Sequence, residues 1–460
     1  MIPEPPPTPI PESWRLAVAP AEKANALLAL VKHAGAQAEA LFKTLPLEEQ
    51  QAVVLSAPPD QRLDLLNLPE DATRLVQSLP EMELHRTVMC VGKWEAQEVV
   101  EVASQEQLNF MLDHDCWRGE ALDGRKFADW LQLFLECDEA QIFRILTAIN
   151  ADLLALALKK HVKFEKDFMI EDQYYLDPDW VKGGNPVVQQ FLERLYAFDP
   201  NLWIRLLAWV RTNSKGTIEA DAIEGREARL KGKGFPAPSL AITVYYPVEF
   251  DIKGLLAGWR TAATATPATP PGTAPAVRAG GSQPADGLFL AKVTRLLADQ
   301  AAAATTAESA GRWEAELVEV ANKVMIADQV DLGDLRQQRE AVDKVRRWIS
   351  LGLEIAATGD PEHGGRLLQE RQVEWFFRLA AMLFDALESA IVELTKIEQR
   401  GGGVVSGSNL GYAYLALSEP EPLLPQSPQG GTRHILNASD YRLAWTYVWQ
   451  LEQAARATAG

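Results

Sequence analysis

The densest set of chemistry-bearing side chains in the chain is Asp113-His114-Asp115-Cys116, two carboxylates, an imidazole and a thiol in four positions. All four are potential metal ligands. A metal site, though, needs ligands that converge from separate elements or recur at helical i, i+4 spacing, whereas adjacent residues splay apart. The expectation is a polar helix end. His85, His161, His363 and His434 stand alone in the sequence and read as surface or capped histidines. Glu224, Arg226, Glu227 and Arg229 can pair across one helical turn, which reads as a solvated charged face and not as a catalytic pair. The glycine runs Gly401-Gly402-Gly403 and Gly364-Gly365 lack the strand-before, helix-after setting of a phosphate loop, and read as helix ends or flexible loops. G-x-S-x-G, H-E-x-x-H and G-x-x-x-x-G-K-[ST] are all absent. No catalytic, cofactor-binding or metal-binding residue is assigned on these grounds, and no cofactor is expected.

The elements around this cluster are legible through a repeated phrase. It reads Leu45-Pro46-Leu47-Glu48-Glu49, then Ala57-Pro58-Pro59-Asp60-Gln61, Leu68-Pro69-Glu70-Asp71 and Leu79-Pro80-Glu81-Met82-Glu83. The steps between prolines are 12 (46 to 58), 11 (58 to 69) and 11 (69 to 80), and Gly92 and Ser104 continue the spacing. Proline fits the first position of a helix and ends the one before it. The acids that follow suit the positive end of the helix dipole, and Ser104 with Gln107 has capping-box spacing. Each unit is then a helix of roughly two turns that must bury its face on neighbours, and an array of them is a small α-solenoid. Helix starts are predicted near 46, 58, 69, 80, 92 and 104, with Leu66, Leu68, Leu75 and Leu79 buried.

Composition bounds the function. A chain of 460 residues exceeds one compact core. Its net charge of −18 disfavours a nucleic-acid surface and adsorption to anionic membranes. Cys90, Cys116 and Cys137 are odd in number and contain no C-x-x-C, so a zinc ribbon or thioredoxin-type site is not indicated and a reducing compartment is. Phe376 to Leu394, the most apolar stretch, is broken by Arg378, Asp385, Glu388 and Glu393. The expected location is the cytoplasm, without membrane insertion. Most of the 13 tryptophans fall at apolar helix positions and read as core anchors.

The fold class expected is mainly all-α: an N-terminal α-solenoid of short Pro-started helices, further helical regions, and at most a small β-hairpin. The expected organisation is a Pro-rich tail over 1–20, a helical-repeat domain over 21–165, a central helical region over 166–260, an Ala/Thr/Pro linker over 261–285, and a C-terminal helical domain over 286–460. Single helices are predicted over 21–45 and 139–160, and the hairpin over 168–176. Ala241 to Tyr246 has strand-like β-branched and aromatic content. Phe235, between Gly234 and Pro236, is expected to plug into the central region as a structural pin, and Arg226 and Arg229 to tolerate alanine.

Two resemblances follow from these residues. The proline–acid phrases of 45–83 resemble the N-terminal superhelical domain of MgtE-type magnesium transporters and, more distantly, the helical repeats of the flagellar motor switch protein FliG. That likeness is one of architecture and carries no metal-binding acid to any position here. The order of repeats, Tyr174-Tyr175-Leu176, Glu227-Ala228-Arg229-Leu230, Gly234-Phe235-Pro236 and Tyr246-Pro247 resembles an uncharacterised bacterial family of unknown function; the resemblance implies helix over 241–246 and brings no activity with it, because none is established for the family. The functional expectation is a non-enzymatic interaction protein with a protein partner and no nucleic acid; the alternative is a carboxylate-based enzyme or metal-dependent regulator.

Overall fold

Short helices leave a large share of their end N–H and C=O groups without partners, and the first third of the chain is organised by how those groups are satisfied. The computed structural model describes residues 14, 16–69, 71–165, 178–265, 288–304, 312–401, 410–426 and 431–459. It is mainly all-α, with three antiparallel ribbons of two or three residues per strand. The chain divides into two compact units, residues 1–234 with 329–338, and residues 235–328 with 339–460.

The first unit starts with α1 (Pro20–Val31), α2 (Gly35–Lys43), α3 (Leu47–Ser56), a 3-10 turn (Pro59–Gln61) running into α4 (Arg62–Leu66), α5 (Thr73–Ser78), α6 (Glu81–Val91), α7 (Gln97–Val102) and α8 (Gln105–Asp115). The repeat expectation holds: among the described residues of 45–115 there is no strand and no helix runs across Pro58 or Pro69, and Leu66, Leu68, Leu75 and Leu79 are all buried. Its details need four corrections. The single helix over 21–45 is two helices, the second opening on Gly35, a poor interior helix residue. Pro46 and Pro80 sit one position before their helices with extended backbone, their carbonyls accepting the first helical N–H bonds. Pro69 opens nothing; α5 begins at Thr73, whose N–H is taken by Asp71 Oδ1 at 2.9 Å. Gly92, at φ +111°, closes α6 instead of starting the next helix.

These helices stack in two rows. α3 packs on α1, α5 on α3 and α7 on α5, while α6 packs on α4 and α8 on α6. Apart from α2, which packs on α1, each helix therefore rests on the next but one, the arrangement of a solenoid. Buried polar side chains complete the helix ends. Gln107 Nε2 donates to the Val76 and Leu79 carbonyls, both at 2.8 Å. Arg62, itself buried, donates to Ala57 O at 3.0 Å, Leu55 O at 3.2 Å and Glu83 Oε2 at 2.7 Å.

A ribbon of β1 (Trp117–Arg118) and β2 (Ala121–Leu122) leads to α9 (Gly124–Leu135), α10 (Glu139–Ala148) and α11 (Ala151–His161). The one helix expected over 139–160 bends by 98° between α10 and α11. Asn150 caps the second part, and Asn109 of α8 clamps the bend, donating to Ala148 O and accepting from Asn150 N, each at 2.8 Å. A ribbon of β3 (Val162–Phe164) and β4 (Val181–Gly183) follows, flanking the hairpin predicted over 168–176, which lies outside the described residues. An antiparallel pair, α12 (Pro186–Phe198) and α13 (Pro200–Thr212), and α14 (Lys215–Lys231) complete the unit around one continuous core from Ala24 to Ala222.

The second unit opens with α15 (Pro238–Ala241) and a 3-10 turn (Ile242–Tyr245). The strand-like composition of 241–246 is thus overridden, and the helix implied by the family resemblance stands. Pro238 presets the first helical φ, and this short element packs on α18 (Arg312–Ala327) and α21 (Val373–Gly401), burying Ala241 and Val244. The other helices are α16 (Ile252–Ala265), α17 (Phe289–Ala304), α19 (Leu335–Ala356, whose first residues belong to the first unit), α20 (Pro361–Glu370), α22 (Gly411–Leu417) and α23 (Ala438–Ala459). Of the expected linker, residues 261–265 continue α16 and 266–285 lie outside the described residues. The proline-rich loop after 420 holds a ribbon, β5 (Leu423–Pro425) with β6 (Thr432–His434). Trp348 stacks between Phe377 and Phe384 at ring-centre distances of 5.2 and 4.6 Å. Gly352 lies against the Phe376 carbonyl so closely that any side chain there would collide with backbone. Among the described residues no single helix is long and apolar enough to cross a membrane.

Candidate functional site

The sequence cluster at 113–116 forms the last turn of α8 and its cap, and there the side chains part company. Asp113 turns to α14, where Arg229 grips it with Nε–Oδ2 at 2.6 Å and a second nitrogen to Oδ1 at 2.8 Å. Arg226, one turn earlier, donates to the backbone carbonyls of Asp113 at 3.0 Å and Gly119 at 2.9 Å, with its guanidinium over the Trp117 ring. Asp115 turns the other way. It accepts from Trp130 Nε1 at 2.8 Å and pairs with Lys93 at 3.1 Å and Lys126 at 3.2 Å. Lys126 also pairs with Asp331 at 2.8 Å, in the 329–338 segment that belongs to this unit. In that segment Gly333 lies against Asp115 with no room for a Cβ.

His114 donates through Nδ1 to Phe110 O at 2.8 Å, and its ring stacks on Phe110 at 3.8 Å. His85 of α6 lies 5.5 Å away, ring centre to ring centre. Both imidazoles are 0% exposed, and neither ring nitrogen of His85 has a hydrogen-bond partner among the described residues. Cys116 is buried beside them.

Electrostatics follow from burial and pairing. Desolvation lowers His85 to about 4 and takes His114 well below the usual histidine range, so both are neutral at pH 7. Burial pushes the Cys116 thiol up, away from the reactive thiolate. Burial raises the Asp113 carboxyl even with Arg229 against it, and lowers Arg226 to about 10. Burial works to raise Asp115 as well, but Lys93 and Lys126 outweigh it and hold the group below the ordinary carboxylate range. The two carboxylates are thus engaged by separate cations on opposite sides of α8. Among the described residues no three His, Cys, Asp or Glu side chains converge to hold a metal ion.

Several readings change on this geometry. The polar helix end is a buried ionic core. His85 is a fully buried histidine, not a surface or capped one. Arg226 and Arg229 do not form a solvated face but reach into the core, while Glu224 stays exposed. Gly364 and Gly365 sit inside α20, where they let Phe289, Val293 and Leu297 of α17 approach. His161 and His363 are half-buried, and His434 is exposed with Nδ1 3.5 Å from Glu421. Gly401 ends α21, and Gly402 and Gly403 lie outside the described residues. Trp117, Trp130 and Trp203 are core anchors, whereas Trp94 and Trp209 are exposed. Lys93 and Lys126 as partners of Asp115, and Asp331 as a partner of Lys126, were unreadable, since nothing local announces contacts over such separations.

The buried histidines give a pH test. Their protonated forms are disfavoured in the fold but free in the unfolded chain, so their stabilising effect is complete above about pH 6.5 and is lost as pH falls toward 4. For His85 that loss is on the order of 3 kcal/mol. The urea midpoint of the full chain should drop across this window, and His85→Phe should flatten the drop; an unchanged slope would show that His85 is not the group titrating.

No curated protein and no solved structure matches the chain. The family model for DUF6178, a family of unknown function, matches residues 39–456, and the chain belongs to that family.

Proposed function

We propose that this protein is a non-enzymatic interaction protein whose stacked helices hold a helix or peptide of a protein partner. The two-row stacking of α1 to α8 carries this reading. Such arrays present long, continuous surfaces because each helix contacts only its near neighbours. The buried carboxylates of α8 support it too, since Asp113 and Asp115 are occupied by Arg229, Lys93 and Lys126 and serve the scaffold. A cytoplasmic setting belongs to the same proposal, supported by the thiols of Cys116 and Cys137 buried as free cysteines. The test is in-cell cross-linking of the full chain, followed by mass spectrometry. One protein recovered in stoichiometric amount, with its cross-links on residues 20–231, is the expected result. Cross-links confined to residues 339–460, or recovery of no partner at all, would overturn the reading.

A further inference from the structure

α16 contributes little to the core of the second unit. Among its residues 252–261 no side chain is fully buried, although Ile252, Leu255, Leu256 and Trp259 are apolar and half-buried. α22, at half the length, buries five of its seven residues. Two interior glycines weaken α16 further, since glycine is a poor helix former. Gly352 in α19 and Gly364 in α20 sit where a neighbour presses, the one on the Phe376 carbonyl, the other on Phe289 and Val293. In α16 no such reason exists. A Cβ on Gly258 would meet no atom of the described residues within 4 Å. On Gly254 its nearest atoms are those of Asp251, whose side chain caps the helix by accepting from Gly254 N at 2.8 Å.

What α16 lies on is the aromatic side of α23, where Tyr441, Trp445 and Trp449 recur at helical spacing and are all buried. Trp259 meets the Tyr441 ring edge to face at 6.0 Å, with the Arg442 guanidinium 5.9 Å over its own ring. Arg260 reaches over the Trp449 ring at 5.9 Å and pairs with Glu452 at 3.3 Å, its side chain 50% exposed. Cation–π contacts and ion pairs that water reaches hold weakly. The chain just before α16 is fastened more firmly. Arg378 of α21 donates to the carbonyls of Tyr246 at 2.7 Å and Pro247 at 3.1 Å, and Val248 N donates to Met382 Sδ at 3.0 Å. Residues 249–251, outside helix and strand, join that anchor to α16.

We propose that α16 is a lid on α23, which swings about residues 249–251 and uncovers the rings of Tyr441 and Trp449 while the rest of the second unit stays folded. Each part of such a device is present: an anchored base at 246–248, a short hinge, a helix weakened by Gly254 and Gly258, and a latch made by Trp259 and Arg260. The occupant of the aromatic face is α16 itself, so the lid controls when that face meets solvent. The inference concerns the second unit and does not rest on the partner reading of the first.

Hydrogen exchange of the full chain, resolved by peptide, tests it. The amides of α16 should exchange far faster than those of α21 and α23, at a rate set by local opening. Gly258→Ala should slow α16 about fivefold and leave α23 unchanged, because it raises helix propensity and touches no neighbour. Arg260→Glu, which sets a carboxylate against Glu452, should speed α16 about tenfold. The dye 8-anilinonaphthalene-1-sulfonate reports the uncovered rings. Its fluorescence should rise with Arg260→Glu and fall below wild type with Gly258→Ala. Exchange of α16 in step with α21 and α23 would overturn the proposal. So would a Gly258→Ala effect spread evenly over the helices of the unit, or dye fluorescence indifferent to both variants. Gly258→Ala favours the helix, so its result stands even where Arg260→Glu loosens the whole unit.

Discussion

Arg229→Ala should destabilise the first unit by about 3–5 kcal/mol, as expected when one partner of a buried ion pair is removed and the other stays behind. Asp113 is 1% exposed and takes both of its carboxylate oxygens to Arg229. With the guanidinium gone, the carboxylate must be protonated in the fold or unfold to reach water. Its folded pKa, already raised by burial, then rises further. A carboxyl whose folded pKa lies above its unfolded one costs stability once pH exceeds the unfolded value, so the deficit of the variant should shrink as pH falls toward 4. Asp113→Asn in the Arg229→Ala background should recover part of the loss at pH 7, whereas Glu224→Ala, on the exposed side of α14, should change little. Urea titrations at pH 5 and 7 measure each of these. An Arg229→Ala midpoint equal to wild type would mean that Asp113 finds water or another donor.

The contrast between Arg229 and Glu224 shows where sequence reading stops. Both lie in one charged run, and i, i+4 spacing alone gives every member of it the same solvated face. The structure separates them because α14 packs across α8, a contact between segments more than a hundred residues apart. The repeat array was legible for the opposite reason. Its signals are local: a proline that ends one helix, acids in the next first turn, Ser104 and Gln107 capping α8. Where the local signal was ambiguous the boundaries slipped, as at Gly92, which closes a helix as readily as it precedes one. Ala241 to Tyr246 slipped in another way. Its β-branched content expresses a preference for half-buried pleated surfaces, and packing on α18 and α21 satisfies the same side chains in a helical turn.

Phe235→Ala should cost about 3–5 kcal/mol, and the loss should fall on the second unit, to which the residue belongs. Phe235 is 2% exposed, so its ring is packed on all sides and truncation leaves a cavity. The backbone around it fixes where that ring goes. α14 is followed by Gly234, at φ +86°, whose N–H donates to Lys231 O at 3.1 Å. A residue with a Cβ is strained at that angle, and Pro236 restricts Phe235 to extended backbone. The chain therefore leaves the last helix of the first unit through one permissive residue and enters the second through a buried aromatic. Scanning calorimetry of the full chain can separate the outcomes if the two units melt apart. Phe235→Ala should move the second unit's transition and leave the first unit's in place, while Phe235→Leu should move it less because it retains most of the volume. Trp94→Ala, removing a side chain that is 46% exposed, should move neither. If Phe235→Ala left both transitions unmoved but weakened capture of the cross-linked partner, the ring would belong to a recognition surface and the pin reading would be wrong.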